Sequence, residues 1–219
     1  MTTTVLLAHG SPDPRAQRAV NEAAADLAAR VGHVVTTAFL DHDKRELHHT
    51  VSGLDATERV SVLPLLLSTA YHARVDVPAA VAALSREVTL LGPVGHPAVV
   101  LDNLLSRCQG PALVVAAGTR FDDERRSFAK AVTDASARAG LPAVAAYATG
   151  PGPRIKDVTR PGAAAVVPWV LAPGRLLDSV VASAREHNCQ TVGAGLLGEE
   201  VLRDLLAARI AAAGVDEAA

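Results

Sequence analysis

The sequence predicts an α/β fold built from two similar halves, each with a mostly parallel four-stranded sheet flanked by helices. Short apolar runs alternate along the chain with longer segments of helical periodicity, which is the order typical of βα units. The apolar runs are continuous rather than alternating, as expected for parallel strands that are covered on both faces. The same plan occurs twice within the 219 residues.

The elements follow in order along the chain. The first helix has clear start signals, because Asp13 can cap it and Pro14 suits its first turn. Right-handed crossovers should connect the parallel strands. The predicted strands are 5–8, 34–39, 60–67, 88–91, 112–116, 143–148, 164–171 and 191–194. The predicted helices are 14–30, 77–85, 97–107, 123–139, 175–187 and 199–213.

An internal duplication supports the two halves. The motif Ala8-His9-Gly10-Ser11 matches Ala116-Ala117-Gly118-Thr119 at an offset of 108 residues. Further matches pair 64–67 with 168–171 and Gly92 with Gly195. Gln109-Gly110-Pro111 interrupts the helical pattern between the copies. These observations predict an N-terminal domain at 1–108 and a degenerate C-terminal copy at 109–219, in which alanine replaces the histidine.

Composition excludes several classes of protein. The net charge is −2 and no basic stripe occurs, which argues against a nucleic-acid partner. No apolar stretch approaches the ~18 residues of a membrane span, and 5–8 is too short for a signal sequence. Cys108 and Cys189 lack metal-site spacing and resemble buried thiols of a reducing compartment. We therefore expect a cytoplasmic protein without a membrane association.

Two histidines stand where an open α/β sheet binds ligands, just beyond the carboxyl ends of its strands. His9 ends the first predicted strand and His72 follows the third. Imidazole suits Fe, Co, Ni, Cu and Zn, and its neutral form can accept a proton near neutral pH. Either histidine alone is typical of a strand-end or loop residue, but two at equivalent strand ends favour a metal or proton-transfer site.

The neighbouring residues favour an anionic ligand. Gly10 and Ser11 let the backbone approach a ligand near a helix N-terminus. GxGxxG is absent from the turn after His9, and Gly-Lys-Ser/Thr does not occur in the chain, so this turn implies neither NAD nor ATP. Arginine binds carboxylates in a bidentate manner, and several arginines follow strand ends, although most could simply be solvated. They are Arg15, Arg18, Arg74, Arg120 and Arg175.

The other histidines leave alternatives open. His96 could line the pocket or open the next helix, and His42 could join Asp43 in a metal site or lie in a solvated loop. The roles of His48 and His49 are equally open. Asp76 could orient an imidazole or cap the helix beginning near residue 77. His33 and His187 lie at the opposite ends of the strands, where a structural role is favoured.

The motifs resemble those of the sirohydrochlorin chelatases, a family of ATP-independent (class II) tetrapyrrole chelatases. The resemblance rests on the segments 7–15, 64–67 and 71–78, and it covers the long, two-domain form of the family. The family usually has two glycines before the second histidine, whereas this chain has Ala70-Tyr71. The C-terminal half matches only weakly, as a degenerate copy would.

The resemblance implies two chelatase-like (Rossmann-like) domains that face each other across a cleft. It implies insertion of Fe²⁺ or Co²⁺, as co-substrate and without a permanently bound cofactor, into sirohydrochlorin for siroheme or cobalamin biosynthesis. His9 and His72 match the metal-binding and catalytic histidines. The expected substrate-binding residues are Gly10, Ser11, Arg15, Leu67, Ala70, Tyr71, His96, Gly118, Thr119 and Arg175. Since one chain would supply both walls, we expect a monomer.

Other functions stay open at this point. The protein could carry a metal or a tetrapyrrole without catalysing insertion, or it could be a chelatase for a later tetrapyrrole such as coproporphyrin. A metallohydrolase that uses His9 and His72 is disfavoured, because the sequence places no clear carboxylate as a third ligand. Neither the choice among Fe²⁺, Co²⁺ and Ni²⁺ nor the proton-accepting histidine can be predicted from the sequence.

Overall fold

Two parallel sheets form the framework of the protein in a computed structural model that describes residues 1–68, 72–158 and 165–215. The strands are β1 (Thr2–Ala8), β2 (Val34–Phe39), β3 (Arg59–Leu65), β4 (Thr89–Leu90), β5 (Ala112–Ala116), β6 (Ala143–Tyr147), β7 (Ala165–Trp169) and β8 (Gln190–Thr191). The α-helices are α1 (Pro14–Val31), α2 (Leu47–Ser52), α3 (Val77–Ala82), α4 (Ala98–Ser106), α5 (Asp122–Ala139), α6 (Ile155–Val158), α7 (Arg175–Glu186) and α8 (Glu200–Val215). A π-helical turn at His72–Asp76 precedes α3, and a 3₁₀ turn at Leu196–Gly198 precedes α8.

All strand pairs in both sheets are parallel, which confirms the predicted fold class. The strand orders are β2-β1-β3-β4 and β6-β5-β7-β8. The central strands are buried along most of their length, because helices pack on the sheets. Aliphatic side chains such as Leu6, Leu63 and Val114 are fully buried there. No helix in the described part of the chain has the length and apolar character needed to cross a membrane.

The duplication extends to individual hydrogen bonds at the offset of 108. The amide of Leu40 donates to Ala8 and the amide of Asp41 to His9. In the second half Ala148 donates to Ala116 and Thr149 to Ala117, at 2.8 Å in each case. Helices α1 and α5 begin and end at equivalent positions, and each is closed by a left-handed glycine.

The sequence offset between the two copies becomes smaller in the later part of each half. Leu91 donates to the carbonyl of Val62, and Val192 donates in the same way to Val166. This correspondence aligns Gly92 with Gly193, so the predicted pairing of Gly92 with Gly195 is wrong by two residues.

The two halves exchange their last helices. The chain forms one compact unit from residues 1–95 and 202–219, and a second from 96–201. Asp204 of α8 therefore pairs with Arg30 of α1. Equivalently, Asp102 of α4 accepts a bidentate hydrogen bond from Arg138 of α5, at 2.8 and 2.9 Å. The compact units thus differ from the predicted division at residue 108, which marks the sequence repeat rather than a packing boundary.

Short elements account for most other differences from the predicted pattern. Helices α2 and α6 were not predicted, because six and four residues are too few to show a clear period. Strands β4 and β8 pair over two residues each and are shorter than predicted.

Candidate functional site

The carboxyl ends of β1 and β3 mark the point where the first sheet reverses its strand order. From β1 the chain crosses to β2 on one side, and it then returns to β3 on the other side of β1. This divergence of connections leaves a crevice beyond the strand ends, which is the usual ligand position in open parallel sheets. Ala8 and Leu65 are aligned at this edge.

His9 is the first residue beyond β1 and is partly exposed. Its Nδ1 lies 3.3 Å from the carbonyl oxygen of Gly10. A carbonyl oxygen can only accept a hydrogen bond, so Nδ1 must be the protonated nitrogen in this contact. In the neutral ring Nε2 then carries the lone pair, which is the form that binds a metal or accepts a proton.

Gly10 and Ser11 shape the turn after His9. Gly10 has a φ of +96°, and a Cβ atom there would lie 1.8 Å from the carbonyl oxygen of Asp41. The Ser11 hydroxyl accepts a hydrogen bond from the amide of Asp13 at 3.1 Å. The close approach at Gly10 is thus made by the chain itself, and ligand contacts of Gly10 and Ser11 stay predictions.

Asp41 is a site candidate that the sequence analysis missed. It lies two residues beyond β2, and its amide donates to the carbonyl of His9 at 2.9 Å. Its carboxylate is exposed and accepts a hydrogen bond from the amide of His42. The sequence could have indicated Asp41 by its position, because Asp41 follows a predicted strand as His9 and His72 do. The structure thus places the backbone of Asp41 directly beside that of His9.

Asp43 is held by Arg45 rather than directed toward His42. Its two carboxylate oxygens accept hydrogen bonds from Nε and Nη2 of Arg45 at 3.2 and 2.9 Å. This side-chain hydrogen bonding lowers the pKa of Asp43 below its ordinary value. The Nη1 group of Arg45 also bonds Asn21 and Thr37. Of the two alternatives for His42, these contacts favour the solvated loop over a metal site shared with Asp43, and Nε2 of His42 lies 3.5 Å from Oδ2 of Asp41.

His72 begins the π-helical turn that leads into α3. Its side chain, like Ala70 and Tyr71 as a whole, lies outside the described residues, so the metal or proton-transfer site shared with His9 stays a prediction. Asp76 occupies the N-cap position of α3 without a side-chain capping bond, so it does not cap the helix in that way. Leu67 is partly exposed near the same edge.

The predicted carboxylate-binding residues divide between the two units. Arg15 forms an ion pair with Asp13 at 2.7 Å, so one edge of its guanidinium group already binds a carboxylate. Gly118, Thr119 and Arg175 follow strands of the second sheet. Arg175 is exposed at the start of α7, whereas the Thr119 hydroxyl accepts from the amide of Phe121 at 3.2 Å. Substrate binding by these residues stays a prediction.

His96 has a partner at each ring nitrogen. Trp169 donates its indole N–H to Nδ1 at 3.1 Å, and Nε2 lies 3.1 Å from Oε1 of the buried Glu124. Since the indole can only donate, Nδ1 must carry the lone pair and Nε2–H must donate to Glu124. The His96 side chain is only 10% exposed. These contacts favour a structural role for His96 over the predicted role in substrate binding.

Comparison with protein families finds one family model that matches the first half of the chain. The sequence model of the CbiX family matches residues 3–110, which includes the His9 and His72 motifs. A search of the curated proteins found no match to the chain.

Comparison with solved structures supports the fold over the whole chain. SirB from Bacillus subtilis, solved with Fe³⁺, superposes with a TM-score of 0.76 at 19% identity, over 95% of this chain and 94% of SirB. A structure of CbiX, described as the terminal enzyme of siroheme biosynthesis in denitrifying bacteria, gives 0.74 at 22% identity, over 96% and 99%. DR2241 from Deinococcus radiodurans, a multi-domain protein with similarity to chelatases, gives 0.70 at 16% identity, over 95% of this chain and 54% of its own.

Proposed function

We propose that the chain is a chelatase of the CbiX type that inserts Fe²⁺ or Co²⁺ into sirohydrochlorin, because the CbiX family model matches residues 3–110. Metal insertion into a tetrapyrrole is the activity that the family and the fold support. The choice of sirohydrochlorin rests on the resemblance of the segments around His9 and His72. Placement in siroheme or cobalamin biosynthesis, in the cytoplasm, is part of the same proposal.

The observation that carries the proposal is the position of His9 at the reversal point of the first sheet. Its Nδ1 contacts the Gly10 carbonyl, so in the neutral ring Nε2 carries the lone pair. The exposed carboxylate of Asp41 follows the neighbouring strand. An imidazole and a carboxylate together suit a first-row divalent ion and leave coordination positions for other ligands.

Insertion requires a ligand exchange at the metal and the loss of protons from the ring. The hydrated ion loses water and gains four pyrrole nitrogens, while two pyrrole N–H protons leave the macrocycle. We propose that His9, His72 and Asp41 hold the ion while water is replaced. The imidazoles then serve as proton acceptors, since neutral imidazole accepts protons near neutral pH. No nucleotide is needed for either step.

Holding the macrocycle is a separate task. Sirohydrochlorin carries eight carboxylates, and arginine side chains and backbone amides are the groups that bind carboxylates best. We propose that Arg175, with the amides near Gly118 and Thr119, contributes such contacts. In this proposal Leu67 contacts the ring through its apolar surface.

The first test is the insertion reaction itself under anaerobic conditions. Sirohydrochlorin is incubated with Co²⁺ or Fe²⁺, and the absorbance change of the macrocycle is followed. His9→Ala and His72→Ala should each lower the rate about 100-fold or more, because each removes a metal ligand and proton acceptor. Asp41→Asn should lower it about tenfold, since a neutral amide binds the ion less strongly.

A matched control removes a histidine elsewhere. His187 lies at the end of α7, where Nδ1 bonds the Ser183 carbonyl, and His187→Gln should retain the full rate. Full rates in His9→Ala would contradict the proposal. Stoichiometric binding of the tetrapyrrole without spectral conversion would show a carrier instead, and conversion of coproporphyrin but not sirohydrochlorin would show a different substrate.

A further inference from the structure

Three side chains of types that can bind a metal lie close together at the start of α2, outside the site around His9. One potential ligand atom from each of Glu46, His48 and His49 lies within 4.8 Å of the others. The two imidazole rings have centroids 4.2 Å apart. Glu46 occupies the N-cap position of α2 but makes no side-chain capping bond, so its carboxylate does not serve the helix in that way.

The donor set matches the chemistry of a divalent first-row ion. Two imidazoles with one carboxylate suit Fe²⁺, Co²⁺, Ni²⁺ and Zn²⁺, and the carboxylate offsets part of the ion's charge. Ligands at about 2.1 Å from one ion lie roughly 3.0–3.4 Å from each other. All three side chains are exposed and can rotate, so a small adjustment from the observed spacing would allow all three to bind one ion. With three protein ligands, water would complete the coordination and the ion would exchange readily.

The cluster lies at the same edge of the sheet as His9. A bridge joins Phe39, the last residue of β2, to Glu46, and the amide of Phe39 donates to the Arg45 carbonyl at 2.9 Å. The intervening loop contacts His9 through the amide of Asp41. Leu47 and Val51 are buried and hold α2 against the core of the first unit. The helix therefore has a fixed position while its polar side chains face solvent.

The second copy of the repeat lacks this cluster. The corresponding turn is conserved in backbone, because the amide of Tyr147 donates to Pro153 as Phe39 does to Arg45. At the offset of 108 the equivalent residues are Arg154, Lys156 and Asp157. Arg154 directs its guanidinium to the carbonyls of Ala148 and Gly150. The first copy thus has both His9 and the cluster of Glu46, His48 and His49. The second copy has alanine in place of His9, and basic residues in place of Glu46 and His48.

We propose that Glu46, His48 and His49 form an accessory site that binds the divalent metal at the surface before it reaches His9. The binding step stands on the cluster itself, and the delivery step rests on the proposed chelatase function. An exchangeable site beside the reaction centre raises the local concentration of the metal. It should therefore matter when the metal is scarce and not when it is saturating.

The binding step is tested with Co²⁺ alone under anaerobic conditions, by equilibrium dialysis of the full chain. In His9→Ala one equivalent of Co²⁺ should remain bound, and adding His48→Gln and His49→Gln should remove it. Adding His187→Gln to His9→Ala should retain it. If His9→Ala binds no Co²⁺, or if the glutamine changes leave its bound equivalent in place, the accessory site is overturned.

The delivery step is tested by the insertion rate of His48→Gln/His49→Gln with the His9 site intact. The Co²⁺ concentration for half-maximal rate should rise about tenfold while the rate at saturating Co²⁺ stays unchanged. An unchanged half-maximal concentration would overturn delivery. A wild-type protein that binds Co²⁺ at this cluster but inserts no metal would instead overturn the proposed function, and the accessory site would stand.

Discussion

Gly10 and Gly118 show how strongly single residues constrain the two copies. Both have a left-handed φ, +96° and +109°, and in both a Cβ atom would overlap a backbone carbonyl oxygen. That oxygen belongs to Asp41 at 1.8 Å in the first copy and to Thr149 at 2.0 Å in the second. Any side chain at these positions would therefore push apart the turns that follow neighbouring strands.

Substitution of Gly10 should accordingly cost more than backbone strain alone. Gly32 is a matched control, since its φ is +72° but no atom lies within 4 Å of its Cβ position. Gly32→Ala should lower the free energy of unfolding by about 1–2 kcal/mol. Gly10→Ala should lower it by at least about 2 kcal/mol more, because the Asp41 turn must move.

Urea denaturation of both variants measures the difference directly. Equal losses would mean that the Asp41 turn yields without cost. The rate of metal insertion offers a second measurement, since Gly10→Ala should also reduce it by displacing His9 and Asp41, whereas Gly32→Ala should not.

At the scale of elements, two buried hydrogen bonds join the segment before α4 to α5 and β7. Trp169, at the end of β7, donates to His96, and His96 donates to Glu124 in the first turn of α5. The ring of Phe128 packs on His96 with centroids 5.0 Å apart. Because these groups are buried, loss of one partner leaves another polar atom without a hydrogen bond, and this costs more than a surface bond would.

Trp169→Phe should therefore destabilise the protein, although it keeps an aromatic ring. The lost indole donor leaves Nδ1 of His96 unsatisfied, and the smaller ring leaves space, for a combined cost of about 2–4 kcal/mol. Tyr147→Phe is the control from the same aromatic cluster. Its hydroxyl bonds the Arg125 carbonyl, which lies within α5, so its loss should cost about 1 kcal/mol or less.

Thermal and urea unfolding of the two variants separate these costs. Comparable losses in Trp169→Phe and Tyr147→Phe would show that the indole donor has no special role. A normal insertion rate in the folded Trp169→Phe protein would further support a structural role for His96.

At the scale of the whole molecule, the exchange of α4 and α8 makes the halves mutually dependent. Leu202, Leu206 and Ile210 of α8 are buried. Ile210 lines the same small cavity as Thr4 of β1 and Ser61 of β3. The first sheet is therefore covered in part by a helix from the far end of the chain.

A fragment of residues 1–108 should consequently not fold as a monomer. It contains α4, which belongs to the second unit, and lacks α8, which its own sheet requires. Any folded form should be a dimer, in which α4 of each copy replaces α8 of the other. Sedimentation velocity combined with circular dichroism checks this, and a monomer with cooperative unfolding would contradict it. Co-expression with 109–219 should restore a stable complex.

Sequence patterns alone determined the parallel α/β class and the place of His9 at a strand end, because each depends on residues close together in the chain. They also determined the duplication, because two segments can be compared without knowing how they fold. A hydrophobic pattern shows which face of a helix is buried but not which surface covers it. Since the duplicated halves offer equivalent faces, only the tertiary structure decided that α4 and α8 change places. It likewise decided that Asp41 lies beside His9 and that His96 is enclosed by Trp169 and Glu124, since these neighbours come from separate elements brought together by packing.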